Sequence, residues 1–192
     1  MANKIENKVE KAGLLTLDIN KFFVPGKRES VDISKFIGDE LIVRESLFKK
    51  NINAANWENM TSAFVAVYCS KDIIVPPWAY LFVQVKLAEV AREVFFSEPE
   101  TMNAILFERG LNNLEISEYK NKRVFLKICS NNQLPLCAIS LCAQKLIPHV
   151  KSLFYGEPCS SIPLIKNLNI MKNLLTLILC LLFCLPQNSL LV

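Results

Sequence analysis

A chain of 192 residues is long enough to bury one sound core, and its net charge of +4 is spread over interspersed acids and bases, so no one-sided basic face offers itself to nucleic acid. Five glycines and a single histidine, His149, leave no Gly-rich phosphate loop, no HExxH zinc helix and no nucleophile elbow. Seven cysteines, an odd number, behind a polar opening from Met1 to Glu10 point to a reducing, cytoplasmic home, where cysteines serve as buried hydrophobes, metal ligands or reactive thiols.

In chain order, Asn3 to Lys11 suits a short amphipathic helix, with Ile5 and Val9 four apart and Gly13 to end it. Leu14 to Ile19 reads as a strand. Phe22 to Gly26 supplies apolar anchors and, through Pro25-Gly26, type II turn chemistry. Arg28 to Ile33 reads as a second strand, and Ser34 to Phe36 or Asp39-Glu40 caps short helices leading to Phe48. This first third is an α+β preface.

The next stretch is written twice. Phe64 to Ser70 returns as Val124 to Ser130, sixty positions on, and after a one-residue shortening the offset is 59. Seven identities then join Val75–Glu100 to Leu134–Cys159, among them Pro76 with Pro135, Lys86-Leu87 with Lys145-Leu146, and Glu98-Pro99 with Glu157-Pro158. An internal repeat follows, one copy over 57–100 and the other over 117–159. Each copy opens on a short apolar run rich in β-branched and aromatic residues, which is a strand buried on both faces. A loop and a proline-started helix come next, and a second short strand closes the copy. Such crossovers join parallel strands right-handedly. The first helix is expected from Pro76-Pro77 to about Glu93, with Ala79, Leu87 and Val90 on its core stripe. The second starts at Pro135 and is broken by Pro148, where the first copy has Glu89. His149, aligned with Val90, is expected as a satisfied core side chain, and Cys137 and Cys142, aligned with Trp78 and Val83, as core packing. Thr101 to Leu111 is a linking helix. The fold class is therefore α/β: two tandem β-α-β repeats forming a largely parallel sheet flanked by helices, in one domain over 1–166.

From residue 167 the composition changes. Met171-Lys172-Asn173 precedes twelve uncharged residues, Leu174 to Leu185, fewer than the about 20 a membrane helix needs. The pattern copies the start of a secretory signal, and the tail 167–192 is read as foreign to the domain; the rival reading is a membrane anchor through 174–192.

Chemistry is expected where the carboxyl ends of parallel strands share an edge. Both copies end their first strand with Cys-Ser, and the second ends Glu157-Pro158-Cys159-Ser160, which puts Cys69, Cys129 and Cys159 on one rim with the carboxylates Asp72, Glu98 and Glu157. Neighbouring strands lie about 4.8 Å apart, so adjacent thiols of one rim could share zinc, iron or an iron–sulfur cluster, with Glu157 and Asp72 as weaker ligand candidates. The plainer reading is that a cysteine after a buried strand is a small apolar residue. Trp78 and Tyr80 are read first as lids on the core and second as a pocket lining.

The stretches Cys69-Ser70 through Val75-Pro76-Pro77-Trp78-Ala79-Tyr80 and Tyr155-Gly156-Glu157-Pro158-Cys159-Ser160 through Pro163-Leu164, with Ala12-Gly13-Leu14 and Asp18, resemble a bacterial family catalogued as domain of unknown function 2480. The resemblance covers about residues 1–166 and implies an association with iron–sulfur assembly proteins as partners, and an end soon after Lys166. Ser130-Asn131 stands where that family is expected to carry a glycine and an acid.

The expectation is a small accessory protein, rather than a turnover enzyme, that binds or passes on a metal, iron–sulfur or sulfur species through Cys69, Cys129 and Cys159. The alternative is a structural or interaction module whose cysteines only pack. A thiol-based enzyme would need a base beside the cysteine, which one histidine scarcely provides.

Overall fold

The structure is a computed structural model that describes residues 14–38, 42–128 and 134–166. The expected helix at Asn3–Lys11, the Asp39-Glu40 cap, the Cys129–Gln133 loop and the apolar tail lie outside the described residues. In chain order the elements are β1 (Leu14–Asp18), β2 (Arg28–Asp32), α1 (Ser34–Ile37), α2 (Glu45–Ala54), β3 (Phe64–Tyr68), α3 (Pro77–Leu87), β4 (Glu93–Phe96), α4 (Pro99–Leu111), β5 (Arg123–Lys127), α5 (Cys137–Leu146), β6 (Ser152–Tyr155) and β7 (Ile162–Lys166). Helices flank mostly parallel strands, so the expected fold class holds. Among the described residues no helix is long and apolar enough to cross a membrane.

The strands form two sheets, not one. The residues before Phe23 and after Asn112 make one compact unit, and Phe23–Asn112 make the other. Each crossover builds a sheet of its own and takes one strand of the preface as its edge.

In the Phe23–Asn112 unit the sheet order is β2-β3-β4, all parallel. Pro77 sits in the first turn of α3, where its missing N–H costs nothing. The stripe Ala79, Val83 and Leu87, spaced by four, lays that helix on one face of β3 against Val65 and Val67, with Phe48 and Ile52 of α2 in the same cluster. Pro99 starts α4 in the same way, and its Met102 and Leu106 meet Phe64, Ala66 and Phe95 on the opposite face. β3 is therefore covered on both sides, as its unbroken apolar run requires. Burying a side chain such as Leu87, which is fully enclosed, is worth roughly 1.5–3 kcal/mol.

In the other unit the order is β1-β5-β6-β7, with β7 antiparallel to β6. Ala138, Cys142 and Leu146 of α5 repeat the buried stripe of α3. β7 had no signal in the sequence because Pro163 interrupts it, and a proline is tolerated there only because the strand lies on the edge of the sheet.

The two units share their registers. β1 pairs Asp18 with Lys127 as β2 pairs Asp32 with Tyr68, and β3 pairs Phe64 with Glu93 as β5 pairs Arg123 with Ser152. Ser62 and Asn121 both take positive φ, at 56° and 59°, and their amides donate to the carbonyls of Val90 and His149, both at 2.8 Å. The matching offset is 59 in the strands as well as in the helices, which corrects the offset of sixty read for the opening strand. Phe64 answers Arg123, and Cys69 answers Ile128 rather than Cys129. A one-residue slip in a strand moves every side chain to the other face, so the correction changes which residues share a face.

Three further expectations are corrected. α3 ends at Leu87 and α5 at the equivalent Leu146, so Pro148 shortens nothing relative to the first copy. The amides of Ala91 and Val150 close the two helices onto Leu87 and Leu146 at 2.7 and 3.1 Å. His149 therefore lies in the following turn and is exposed, with Val150 taking the core position. Cys137, in the first turn of α5, is also exposed, whereas Cys142 is buried as expected. Gly26, at φ +152°, does not make the type II turn; its conformation lets the chain pass close to Phe64.

Candidate functional site

At the carboxyl rim of the three-stranded sheet, Asp32 ends β2 and gathers the loop that follows β3. Its Oδ1 accepts from the Ser34 amide at 3.0 Å and the Ser70 amide at 3.1 Å, and its Oδ2 accepts from the Ser70 hydroxyl at 2.6 Å. Partial burial works to raise the Asp32 pKa, but these bonds from Ser70 and Ser34 outweigh it and bring it down to about 2. The Ser34 and Ser70 hydroxyls lie 3.0 Å apart, and Lys71 Nζ donates to the Gly38 carbonyl at 2.7 Å. Cys69 is half-buried beside this clamp, with its Sγ 3.5 Å from the Lys71 carbonyl, and Asp72 is exposed. Trp78 packs edge-on to Phe48 at 5.7 Å, a lid on the core. Tyr80 packs against Phe96 at 5.4 Å, and burial, then the nearby Cys69 and Glu98, raise its pKa.

At the carboxyl rim of the four-stranded sheet, Asp18 ends β1 with the same local turn: its Oδ1 accepts from the amide of Asn20 at 2.9 Å. Glu157 is exposed and pairs with Lys127 at 2.6 Å, and Cys159 is exposed in the turn before β7. Cys129 lies outside the described residues. The rim of one sheet thus holds Cys69 and Asp72, and the other sheet belongs to the unit with Cys159 and Glu157. Among the described residues no group of three His, Cys, Asp or Glu side chains is arranged to hold a metal ion.

A concave site lies at the opposite, amino edge of the four-stranded sheet. Leu14, Arg123, Ser152 and Lys166 are direct partners across β1, β5, β6 and β7, so they form one row on one face. Lys151 precedes the row on β6, and Phe125 and Phe154 lie two residues further along their strands on the same face, stacked at 4.8 Å and 16°. With Pro158 and Ser161 from the turn before β7, these residues line a cavity of about 490 Å³. Among the described residues no acidic side chain lines it. Among the described residues Arg123, Lys151 and Lys166 have no side-chain hydrogen bond or ion pair.

The other unit shows what the same edge looks like when it is closed. Arg92, the counterpart of Lys151, lies over the Phe64 ring at 4.5 Å and donates to the Pro25 carbonyl at 3.2 Å. Arg28, the counterpart of Leu14, donates to Asn103 Oδ1 at 2.9 Å and to the carbonyls of Gly26 and Val24. Glu93 stands where Ser152 does and accepts from Arg109 of α4 at 2.7 Å. There the cations are matched and α4 covers the face; in the four-stranded sheet β6 is followed by a turn and β7 in place of a covering helix.

A family model described as protein of unknown function (DUF2480) matches residues 3–167. The chain belongs to this family. No curated protein and no solved structure matches it. The DUF2480 match covers the Phe23–Asn112 unit, the other unit from residue 3 to residue 167, and every residue that lines the cavity.

Arg123, Lys151, Lys166, Phe125 and Phe154 were not singled out from the sequence, which pointed to the carboxyl rim. A signal was present. Lys122-Arg123 and Lys151 stand at the starts of two strands that a crossover makes parallel, and strand starts share an edge as surely as strand ends do. The Asp32 clamp also had a signal, since Leu17-Asp18-Ile19-Asn20-Lys21-Phe22 is echoed by Val31-Asp32-Ile33-Ser34-Lys35-Phe36.

Proposed function

We propose that this protein binds a small anion at the amino edge of its four-stranded sheet, in the cavity bounded by Arg123, Lys151 and Lys166. The observation that carries the reading is that three cations line one cavity with no side-chain partner among the described residues, while at the matching edge of the other unit Arg28 and Arg92 are hydrogen-bonded and Arg109 is ion-paired with Glu93. Like charges held together in a concave, partly apolar site repel one another, and an anion relieves that repulsion. Arg123 offers a planar fork suited to a phosphate or carboxylate, and the two lysines act as point charges. The recurrence of registers and turns supports reading the two units as duplicated copies, of which one has its edge covered by a helix and the other, among the described residues, has no such helix. A cytoplasmic home belongs to this reading, supported by the free thiols of Cys69, Cys137, Cys142 and Cys159. A metal or sulfur species carried on Cys69, Cys129 and Cys159 draws no support from placement, since Cys69 and Cys159 fall in different units.

The test is titration of inorganic phosphate into the full chain, followed by amide chemical shifts. Shifts confined to the starts of β5 and β6 and the end of β7, weakened about tenfold by Lys151→Glu and by added salt, support the reading. Shifts that are absent, or that survive Lys151→Glu and Lys166→Glu unchanged, refute it.

A further inference from the structure

The rest of the cavity describes what else its ligand carries, and this step rests on the anion-binding reading. A volume of about 490 Å³ is several times the room a bare oxyanion needs. It falls within the about 300–1,000 Å³ typical of sites for small organic molecules. Its cationic and aromatic parts are separated along the strands. Arg123 and Lys166 stand on the edge row, and Phe125 and Phe154 stand two residues inward on the same face. Two residues of strand span about 7 Å. That is the separation between a phosphate and a ring joined to it through one sugar or a linker of similar length. Phe154 is half-buried and so reachable, and Phe125, 5% exposed, backs it. Three positive charges call for more than one negative charge, which a phosphate monoester supplies at neutral pH and a single carboxylate does not.

We propose that the ligand is a phosphate monoester bearing a planar ring, of mononucleotide size, with its phosphate at Arg123, Lys151 and Lys166 and its ring against Phe154. The phosphate sets the charge complement and the ring contributes contact area that inorganic phosphate lacks. Stacking of one base on an aromatic side chain is commonly worth a factor of about ten in affinity.

Calorimetric titration of the full chain with adenosine 5′-monophosphate, inorganic phosphate and adenosine tests this. The monophosphate is expected to bind about tenfold or more tightly than phosphate, and adenosine to bind far more weakly than the monophosphate. Phe154→Leu, which keeps an apolar side chain of similar reach, should remove most of the preference of the monophosphate over phosphate, lowering the affinity for the monophosphate far more than that for phosphate. Lys151→Glu, at an exposed turn, should weaken both. Equal affinity for monophosphate and phosphate, or an unchanged preference in Phe154→Leu, overturns the ring and leaves the anion site standing. Binding of neither phosphate nor monophosphate overturns both readings. Adenosine binding as tightly as its monophosphate overturns the assignment of charge.

Discussion

Replacing Asp32 by Asn removes the charge at the clamp while keeping one oxygen for the Ser34 amide. The charged carboxylate accepts three bonds in the folded chain, two of them from Ser70, and these hold its pKa at about 2, below the ordinary aspartate value of 3.8. Each unit of separation corresponds to about 1.4 kcal/mol, and because Asp32 is only partly buried, solvent screening reduces the full linkage to about 1–2 kcal/mol. A folded-state pKa below the unfolded one gives stability that is complete above the unfolded value and is lost as pH falls through the folded value. The Asp32→Asn penalty should therefore be about 1–2 kcal/mol near neutral pH, begin to shrink below about pH 4, and approach zero near pH 2. Urea unfolding of both proteins at a series of pH values reads the difference directly, since the remaining carboxylates are common to the two. A penalty that stays constant from neutral pH to pH 2 would mean that the charge of Asp32 is not what the Ser70 loop is held by, and the argument for the clamp would fail.

Two other substitutions and treatments follow from the geometry. Gly26→Ala would place a Cβ 2.8 Å from Phe64 Cε2 at a φ that side chains disfavour, so it should cost about 1–3 kcal/mol, read as a lower urea midpoint with an unchanged slope. Burial pushes the Cys142 thiol up to about 12, against the smaller opposing influence of Lys145 and Lys21. In the folded protein near neutral pH, Cys142 should therefore stay unlabelled by an alkylating reagent while the exposed Cys137 and Cys159 react, as followed by peptide mass spectrometry. Labelling of Cys142 at the rate of Cys137 without denaturant would contradict its placement in the core.

Much of the fold was legible because its determinants are local. Pro77 and Pro99 announce helix starts through a missing donor, Phe64 to Tyr68 announces a strand covered on both faces, and the spacing of Ala79, Val83 and Leu87 gives a core stripe. The placement of Cys69 at a strand end was also local and correct in kind, but the inference that Cys129 is its counterpart failed by one residue. Sequence similarity in short apolar runs cannot separate an offset of sixty from 59, because Val124 and Arg123 both precede plausible strand residues; only hydrogen-bonded register does so. β7 was illegible because Pro163 argues against a strand unless its position on the sheet edge is known.

By itself, then, the amino-acid sequence determined the element types and the parallel sense of each crossover, both of which rest on contacts between residues near in the chain. The tertiary structure decided that the crossovers divide between two sheets, and that Leu14, Arg123, Ser152 and Lys166 meet in one row. These residues come from four strands spread over the length of the chain. Their meeting is fixed by strand pairing and by which face each helix covers, and neither leaves a mark on the residues adjacent to them in sequence.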